Sequence, residues 1–294
     1  MNFFITGSTG YIGSKLVSNL LRQGYVVFPH SRESKKLKKF INVDNCTPVS
    51  FDTDSFEEIQ TFFSNNKVDY IIHLAAKTGF DISGKDVSDL IDANIKFPTL
   101  LLEATKVLKN PPSFINTSTF WQYYDKEYYN PFCLYASTKQ SFEDILDHYC
   151  KNEGFKAISL RLYDVYGKDD GRNKLLSRLN LLQEGQEFYL TQGNQKLSFV
   201  YIDDVIKAFE SAINLVKKNN QGSHKKYSVC GQVKTLREFV DLYIKILNKK
   251  ININWGEVSY RRNQPMNIFL GDILPDWEAK TSPKIGIKKI VECT

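Results

Sequence analysis

The first two dozen residues limit the fold more than any other stretch of the 294-residue chain. Met1-Asn2-Phe3-Phe4-Ile5-Thr6 is a short apolar run, and Gly7-Ser8-Thr9-Gly10-Tyr11-Ile12-Gly13 follows at once. Ser14 to Arg22 then carries Leu16, Val17, Leu20 and Leu21 at helical spacing. The order is strand, glycine turn, helix, and Tyr25-Val26-Val27-Phe28 supplies a second strand. Glycines at this spacing let the backbone turn tightly and let a pyrophosphate approach the N–H groups of the first helical turn, whose positive dipole end favours an anion. Gly7, Thr9, Gly10, Tyr11, Ile12 and Gly13 are therefore candidates to bind a dinucleotide.

The rest of the composition excludes more than it proves. The net charge of +6 is modest and scattered, apart from short lysine clusters at 35–39 and 217–218 beside predicted helix ends, so nucleic acid is not expected as a partner. Cys46, Cys133, Cys150, Cys230 and Cys293 are odd in number and lack the spacing of zinc or redox motifs. They read as reduced thiols, and a cytoplasmic protein is expected. The histidines show no metal spacing either, and His73 reads as a core residue. No apolar stretch approaches the roughly 18 to 20 residues of a membrane span, and the N-terminus has no cleavable leader pattern, so no membrane partner is expected and the chain is expected to begin inside its first strand.

Further strands are predicted at 48–51, 67–74 and 113–118, with a helix opening near Asp54 and a long helix from about Asp86 to Leu108. Strands alternating with helices predict an α/β fold built on a doubly wound parallel Rossmann sheet, with a smaller C-terminal α/β region. Strand two ends without an acid and is followed by Ser31-Arg32, a small residue and a base that suit a 2′-phosphate. NADP(H) is accordingly expected over NAD(H), with Lys35 as a helper. Asp52 is a candidate for the adenine amino group, and Leu74-Ala75-Ala76 lets a cofactor pass closely.

Tyr135-Ala136-Ser137-Thr138-Lys139 opens another predicted helix, so Tyr135 and Lys139 project from one face a turn apart. A nearby ammonium is expected to lower the phenol's pKa from about 10 and make it a usable acid and base. Thr119, just past the fifth predicted strand, adds a hydroxyl near the same point.

Gly7-x-x-Gly10-x-x-Gly13, Leu74-Ala75-Ala76, Asp92-Ala93-Asn94, Thr117-Ser118-Thr119, Tyr135-x-x-x-Lys139, Arg161 to Gly167 and Phe199 to Val205 resemble, in order and spacing, the extended short-chain dehydrogenase/reductases that act on nucleotide sugars. Asn116 to Trp121 and the residues around Tyr135 look most like the 4-ketoreductases of CDP-abequose synthase type. The resemblance implies that Tyr135 transfers a proton at the sugar oxygen, that Lys139 holds the nicotinamide ribose, and that Thr119 hydrogen-bonds the reacting oxygen. It also implies that Asn94 supports the lysine through water and that Arg261 or Arg262 binds a diphosphate. Phe120 and Arg172 are further substrate-side candidates. The family's usual Asn is Asp164 here, and its Arg-Asp before Phe199 is Leu197-Ser198, which leaves a basic contact missing or moved to Lys196.

Departures from the pattern narrow the reaction. Phe120-Trp121 stands where dehydratases carry Asp-Glu, no cysteine precedes Cys133 in the loop where epimerase-reductases need one, and the acid of the 4-epimerases is absent from strand two. The expectation is NADPH-dependent reduction of the 4-keto group of a nucleoside-diphosphate 4-keto-6-deoxyhexose, with or without a 3-deoxy position. A nucleotide-sugar 4-epimerase and a non-catalytic NADP(H)-binding sensor are the alternatives. Residues 1–165 are expected to form the NADP-binding part, with 195–216 returning to it, and 166–294 the substrate-binding part. A homodimer is the expected assembly. The aromatic run from Trp121 to Tyr129 either stacks on sugar or base or pads a loop and a subunit contact. Asp203-Asp204 reads as a helix N-cap rather than a metal pair, and Thr235 to Glu238 as a capping box.

Overall fold

The computed structural model describes residues 1–80, 82–123 and 125–292, so Tyr124 of the aromatic run and Cys293 lie outside the described residues. Strands β1 (Asn2–Thr6), β2 (Val26–Pro29), β3 (Tyr70–His73), β4 (Ser113–Thr119) and β5 (Ala157–Leu162) are short and largely buried. Their residues alternate between two cores. Phe3, Ile5, Ile72, Ile115 and Ile158 belong to one, while Phe4, Ile71, Phe114 and Ala157 belong to the other. A sheet apolar on both faces must be covered on both, and helices supply the cover.

Helix α1 (Tyr11–Arg22) packs Leu16, Val17 and Leu20 into the first core. The second core takes Ile59 and Phe63 of α2 (Phe56–Asn65), whose N-cap is Ser55 rather than the expected neighbour Asp54. The predicted long helix is a continuous run in three parts: α3 (Asp86–Ile91), a wider π turn at Asp92–Lys96, and α4 (Phe97–Lys106). Pro98 in the first turn of α4 lacks an N–H, and the π turn lies directly before it. Helix α5 (Leu134–Glu153) adds Phe142 and Leu146 to the second core and ends on Gly154 in the left-handed region, φ 73°.

Beyond β5 come β6 (Asp164–Tyr166), α6 (Leu175–Leu181), β7 (Glu187–Leu190), β8 (Lys196–Tyr201) and α7 (Ile202–Lys218). They are followed by β9 (His224–Val229), β10 (Gln232–Thr235), α8 (Leu236–Leu247), β11 (Asn252–Trp255) and α9 (Pro283–Val291). The main sheet is six-stranded and parallel, in the order β2-β1-β3-β4-β5-β9. Smaller sheets β10-β8-β6 and β11-β7 lie beside it. Helix α7 covers the first core together with α1. The order reverses between β1 and β3, and a crevice opens at the carboxyl ends of the strands there.

Several local expectations change. The predicted strand at 48–51 is only an edge segment, bridged at Val27–Cys46 and His30–Val49. Pro48 has no N–H to donate and Asn45 turns left-handed at φ 59°, so no continuous ladder forms. Asp203 and Asp204 sit inside the first turn of α7, whose N-cap is Tyr201. Asp203 pairs with Lys289, and Asp204 accepts the Thr281 N–H at 2.8 Å, so both fasten the C-terminal segment. The capping box does form, between Thr235 and Glu238. Among the described residues no cluster could hold a metal ion and no helix is long and apolar enough to cross a membrane.

A polar chain crosses the sheet behind α5. Asn116 Nδ2 donates to Ser159 Oγ at 3.0 Å, Ser159 Oγ lies 2.8 Å from His224 Nε2, and His224 Nδ1 lies 2.7 Å from Asp147 Oδ1. Lys226 donates to the other Asp147 oxygen at 3.0 Å. Burial acts to raise the Asp147 pKa, but the bonds from His224 and Lys226 outweigh it and pull the value down to about 2. A carboxylate depressed in the folded state stabilises above its unfolded pKa of about 3.9 and loses that contribution as pH falls through the folded value. The Asp147→Asn protein is therefore predicted to melt lower than wild type at pH 6, with the gap narrowing as pH falls towards 2. A gap of constant size in calorimetry across that range would contradict this.

Candidate active site

The site begins at the turn after β1. Gly7 has φ 63°, and a Cβ there would lie 2.7 Å from the Ala75 nitrogen and the Leu74 carbonyl carbon. Gly13, a buried residue of α1, would put a Cβ 2.2 Å from the Gly7 oxygen. These close approaches bring the helix start, the turn and the loop after β3 together. Thr6 fastens them: its Oγ1 accepts the Leu74 and Ala75 N–H groups at 3.1 Å and lies 2.9 Å from His73 Nδ1. Ser8 donates to the His30 carbonyl at 2.9 Å and ties the turn to the end of β2. Burial holds His73 well below its usual pKa and His30 at about 4, so both rings are neutral parts of this scaffold. No side chain caps the first-turn N–H groups of α1.

Two clefts meet on that turn, sharing Gly7, Gly10, Leu74 and Ala76. The first, of about 420 Å³, runs along the end of β2 and is walled by Thr9, Ser31, Arg32, Lys36, Ala75 and Phe97, among others. Lys36 lines it where Lys35 was expected. Thr53 and Asp54 also line it, whereas the Asp52 carboxylate turns back to accept the Asp54 N–H at 3.0 Å. Of this stretch, Thr53 and Asp54 rather than Asp52 border the cleft. Glu33 at the same rim pairs with Lys36 at 2.5 Å.

The second cleft, of about 520 Å³, brings together Tyr11, Ile12, Gly13, Thr119, Phe120, Tyr135, Lys139 and Arg172. Thr119 closes β4, and its hydroxyl oxygen accepts the Trp121 N–H at 3.4 Å, which leaves its proton to donate into the cleft. Tyr135 and Lys139 stand on successive turns of α5, buried to 9% and 1% exposure. Burial pushes the Tyr135 phenol above its ordinary value, with Cys133 adding to the rise, so the expected lowering by Lys139 gives way to desolvation. Lys139 is itself pulled down by burial to about 8, with Glu143 opposing the fall.

Trp121 stands edge-on to Tyr135 at 5.9 Å, and Phe120 stacks on Tyr163 at 5.1 Å. Phe80, from the loop after β3, packs on Trp121 at 3.9 Å and lines the cleft. Arg261 sits 4.1 Å over the Phe80 ring. Neither Arg261 nor the exposed Arg262 lines either cleft. Arg172 does, but its guanidinium is held by both Asp170 oxygens at 2.6 Å and by the Val165 carbonyl at 3.0 Å. In the aromatic run, Trp121 lines the cleft, Tyr123 takes Arg161 over its ring, and Tyr128 and Tyr129 are exposed.

Asn94 lies outside both clefts. On the π turn, its side chain accepts the Lys77 N–H and donates to the Lys77 carbonyl and to Thr138 Oγ1, each at 2.9 Å. Thr138 in turn donates to the Tyr135 carbonyl at 2.8 Å. Asn94 thereby locks the loop after β3 onto the first turn of α5. Gln122, Glu143 and Ser118, which sequence reasoning passed over, form the backing of Thr119. Gln122 Oε1 accepts the Thr119 N–H at 3.1 Å, and Glu143 accepts Ser118 Oγ at 2.5 Å and Gln122 Nε2 at 3.2 Å.

Residues 3–230 match the model of the NAD dependent epimerase/dehydratase family. The chain belongs to that family. It is 26% identical to CDP-abequose synthase of Salmonella muenchen over 98% of this chain and 96% of that one. It is also 26% identical to dTDP-D-glucose 4,6-dehydratase of Homo sapiens, over 98% and 88% respectively. In fold it is similar to UDP-glucuronic acid 4-epimerase from Bacillus cereus in complex with UDP-glucuronic acid and NAD. The TM-score is 0.85, the identity 24%, and the match covers 99% of this chain and 98% of that one.

The glycine geometry separates binding from folding. At Gly10 an added Cβ would meet only the Gly7 oxygen, at 3.2 Å, and would project where the two clefts join. Gly10→Ala is predicted to keep a melting temperature near wild type while weakening NADPH or NADH binding about tenfold. Gly13→Ala, with its 2.2 Å approach, is predicted to lower stability by about 1 to 3 kcal/mol, as overpacking does. Equal effects of the two changes on melting would contradict this division.

Proposed function

We propose that this protein reduces the 4-keto group of a nucleoside-diphosphate 4-keto-6-deoxyhexose with NADPH. The observation that carries the reading is a buried Tyr135 in one cleft with Lys139 and Thr119, at the end of the glycine turn. Membership of the family and likeness to CDP-abequose synthases support a nucleotide-sugar substrate. Phe120-Trp121 gives no acid-base pair for removing water, which counts against dehydration. We take residues 1–165 as the cofactor-binding part, with β8 and α7 returning to it, and the remainder as the substrate-binding part.

The residues present fit a pyridine dinucleotide. The α1 N–H groups and Gly7, Gly10 and Gly13 would take its pyrophosphate, a place a Cβ would fill. Ser31, Arg32 and Lys36 would take a 2′-phosphate, since two bases and a hydroxyl border the first cleft where the ribose would lie. When bound, the cofactor supplies hydride to the keto carbon. As negative charge builds on the carbonyl oxygen, the Thr119 hydroxyl donates a hydrogen bond to it and the Tyr135 phenol delivers its proton there. The phenol holds its proton at neutral pH and can serve as the acid, while the burial that raises its pKa makes it a weaker one unless a cation stands beside it. The Lys139 ammonium stabilises the phenolate left behind, and Asn94 and Gln122 hold the elements that carry the three groups.

Tyr135→Phe keeps the ring and its packing against Trp121 but removes the proton. The predicted loss of kcat is about 10² to 10⁴, with NADPH binding retained. Because Lys139 titrates near 8, kcat of the wild type is predicted to fall above about pH 8 as the ammonium loses its proton. A Tyr135→Phe protein that turns over at the wild-type rate would sink the assignment.

A further inference from the structure

Asp164, at the start of β6, is the acid that stands where the family's resemblance led to an Asn. Its side chain opens to the second cleft, which also holds Tyr135 and Thr119. Its Oδ2 is buried and has no hydrogen-bond partner among the described residues. A buried carboxylate oxygen left without a donor costs free energy in the ligand-free protein, so its retention calls for a reason.

The charges that act on it are Arg172 and Lys174, both from the segment before α6. Arg172 is spent on Asp170 and on the Val165 carbonyl. Lys174 lines the same cleft and makes no side-chain hydrogen bond or ion pair among the described residues. A buried acceptor without a partner and the unpaired ammonium of an exposed lysine thus border one space without closing on each other.

We propose that Asp164 and Lys174 recognise a hydroxyl group of the nucleotide sugar, Asp164 accepting its proton and Lys174 donating to its oxygen. A hydroxyl is the small neutral group that satisfies both sides at once. A phosphate has no proton to offer Asp164 at neutral pH. The hydroxyl belongs either to the nucleotide ribose or to the hexose. This assignment rests on the proposed substrate class, and it adds a specificity-determining pair that the Tyr135, Lys139 and Thr119 chemistry does not use.

Stability carries an independent signature. Burial raises the Asp164 pKa to about 6, with Lys174 and Arg172 opposing the rise. A carboxyl whose folded pKa exceeds its unfolded value of about 3.9 destabilises the fold increasingly as pH rises above the unfolded value, and fully once pH passes the folded one. Asp164→Asn should therefore raise the melting temperature of the ligand-free protein at pH 7.5 and change it little at pH 4. A residue kept to support the fold would do the opposite.

The test is calorimetric titration of the full chain, saturated with NADP⁺, with CDP, CDP-glucose, UDP and UDP-glucose. Asp164→Ala and Lys174→Met are each expected to weaken the ligand that binds wild type best by about tenfold or more, the usual effect of losing a hydrogen bond to a charged group. Asp164→Asn, which keeps an acceptor oxygen, is expected to recover most of that loss. Weakening confined to the sugar-bearing ligands assigns a hexose hydroxyl, and equal weakening of CDP or UDP assigns the ribose. Wild-type affinity in Asp164→Ala or Lys174→Met would overturn the pairing, as would a lower melting temperature for Asp164→Asn at pH 7.5. If wild type binds none of the four, nor dTDP-glucose nor GDP-mannose, while still binding NADPH, the nucleotide-sugar reading itself fails.

Discussion

The close approach between the turn after β1 and the loop after β3 is the contact on which the site depends. At Gly7 there is no room for a Cβ against Leu74 and Ala75, and at Gly13 none against Gly7 itself. Thr6 holds the approach with one hydroxyl shared between two backbone N–H groups. Because both clefts share this floor, any shift of the turn moves the Arg32 cleft and the Tyr135 cleft together. Asn94 extends the same clamp from the loop after β3 to α5, through Lys77 and Thr138. The register between the glycine turn and Tyr135 is thus set by a handful of short polar contacts rather than by the two cores alone.

Behind the reaction end lies a second layer of buried polar groups. Glu143 is fully buried one turn beyond Lys139, gathers Ser118 and Gln122, and meets Lys226 at 3.8 Å. Gln122 also accepts the Thr119 N–H, so the backbone of Thr119 is fixed by a side chain from its own following turn. Such networks are stiff only when every member is satisfied. Here they hold the backbone of Thr119 and the helix that carries Lys139, while Phe80, Trp121 and Phe120 give the cleft around Tyr135 an apolar wall.

What could be read from the chain follows the range of the interactions. The glycine turn and the Tyr135–Lys139 pair are local, so spacing alone placed them on a strand–turn–helix and on one helix face. Features set by distant partners were not legible. Gln122 and Phe80 carry no local sign of Glu143 or Trp121. Lys225 and Lys226 conceal the strand β9: Lys226 is satisfied by Asp147 of α5, and Lys225 is exposed. Nothing local announced the Asx turn in which Asp52 accepts the Asp54 N–H. Nor did the sequence show that Arg261 rests on the Phe80 ring, which only the fold brings near. The rise in the Tyr135 pKa was missed for the same reason: the ammonium's proximity is legible in the spacing, and the degree of burial is not.

The fate of the hydride divides the two enzyme readings. A ketone reductase consumes one NADPH for each proton that Tyr135 delivers, whereas a 4-epimerase returns the hydride it takes and uses Tyr135 in both directions. Isotope transfer decides between them most directly. With NADPH deuterated at the transferred position and a nucleoside-diphosphate 4-keto-6-deoxyhexose, the account predicts one NADPH consumed per product and one deuterium at C4 of that product. Interconversion of two hydroxy sugars with no net consumption of NADPH and no deuterium incorporated would contradict it.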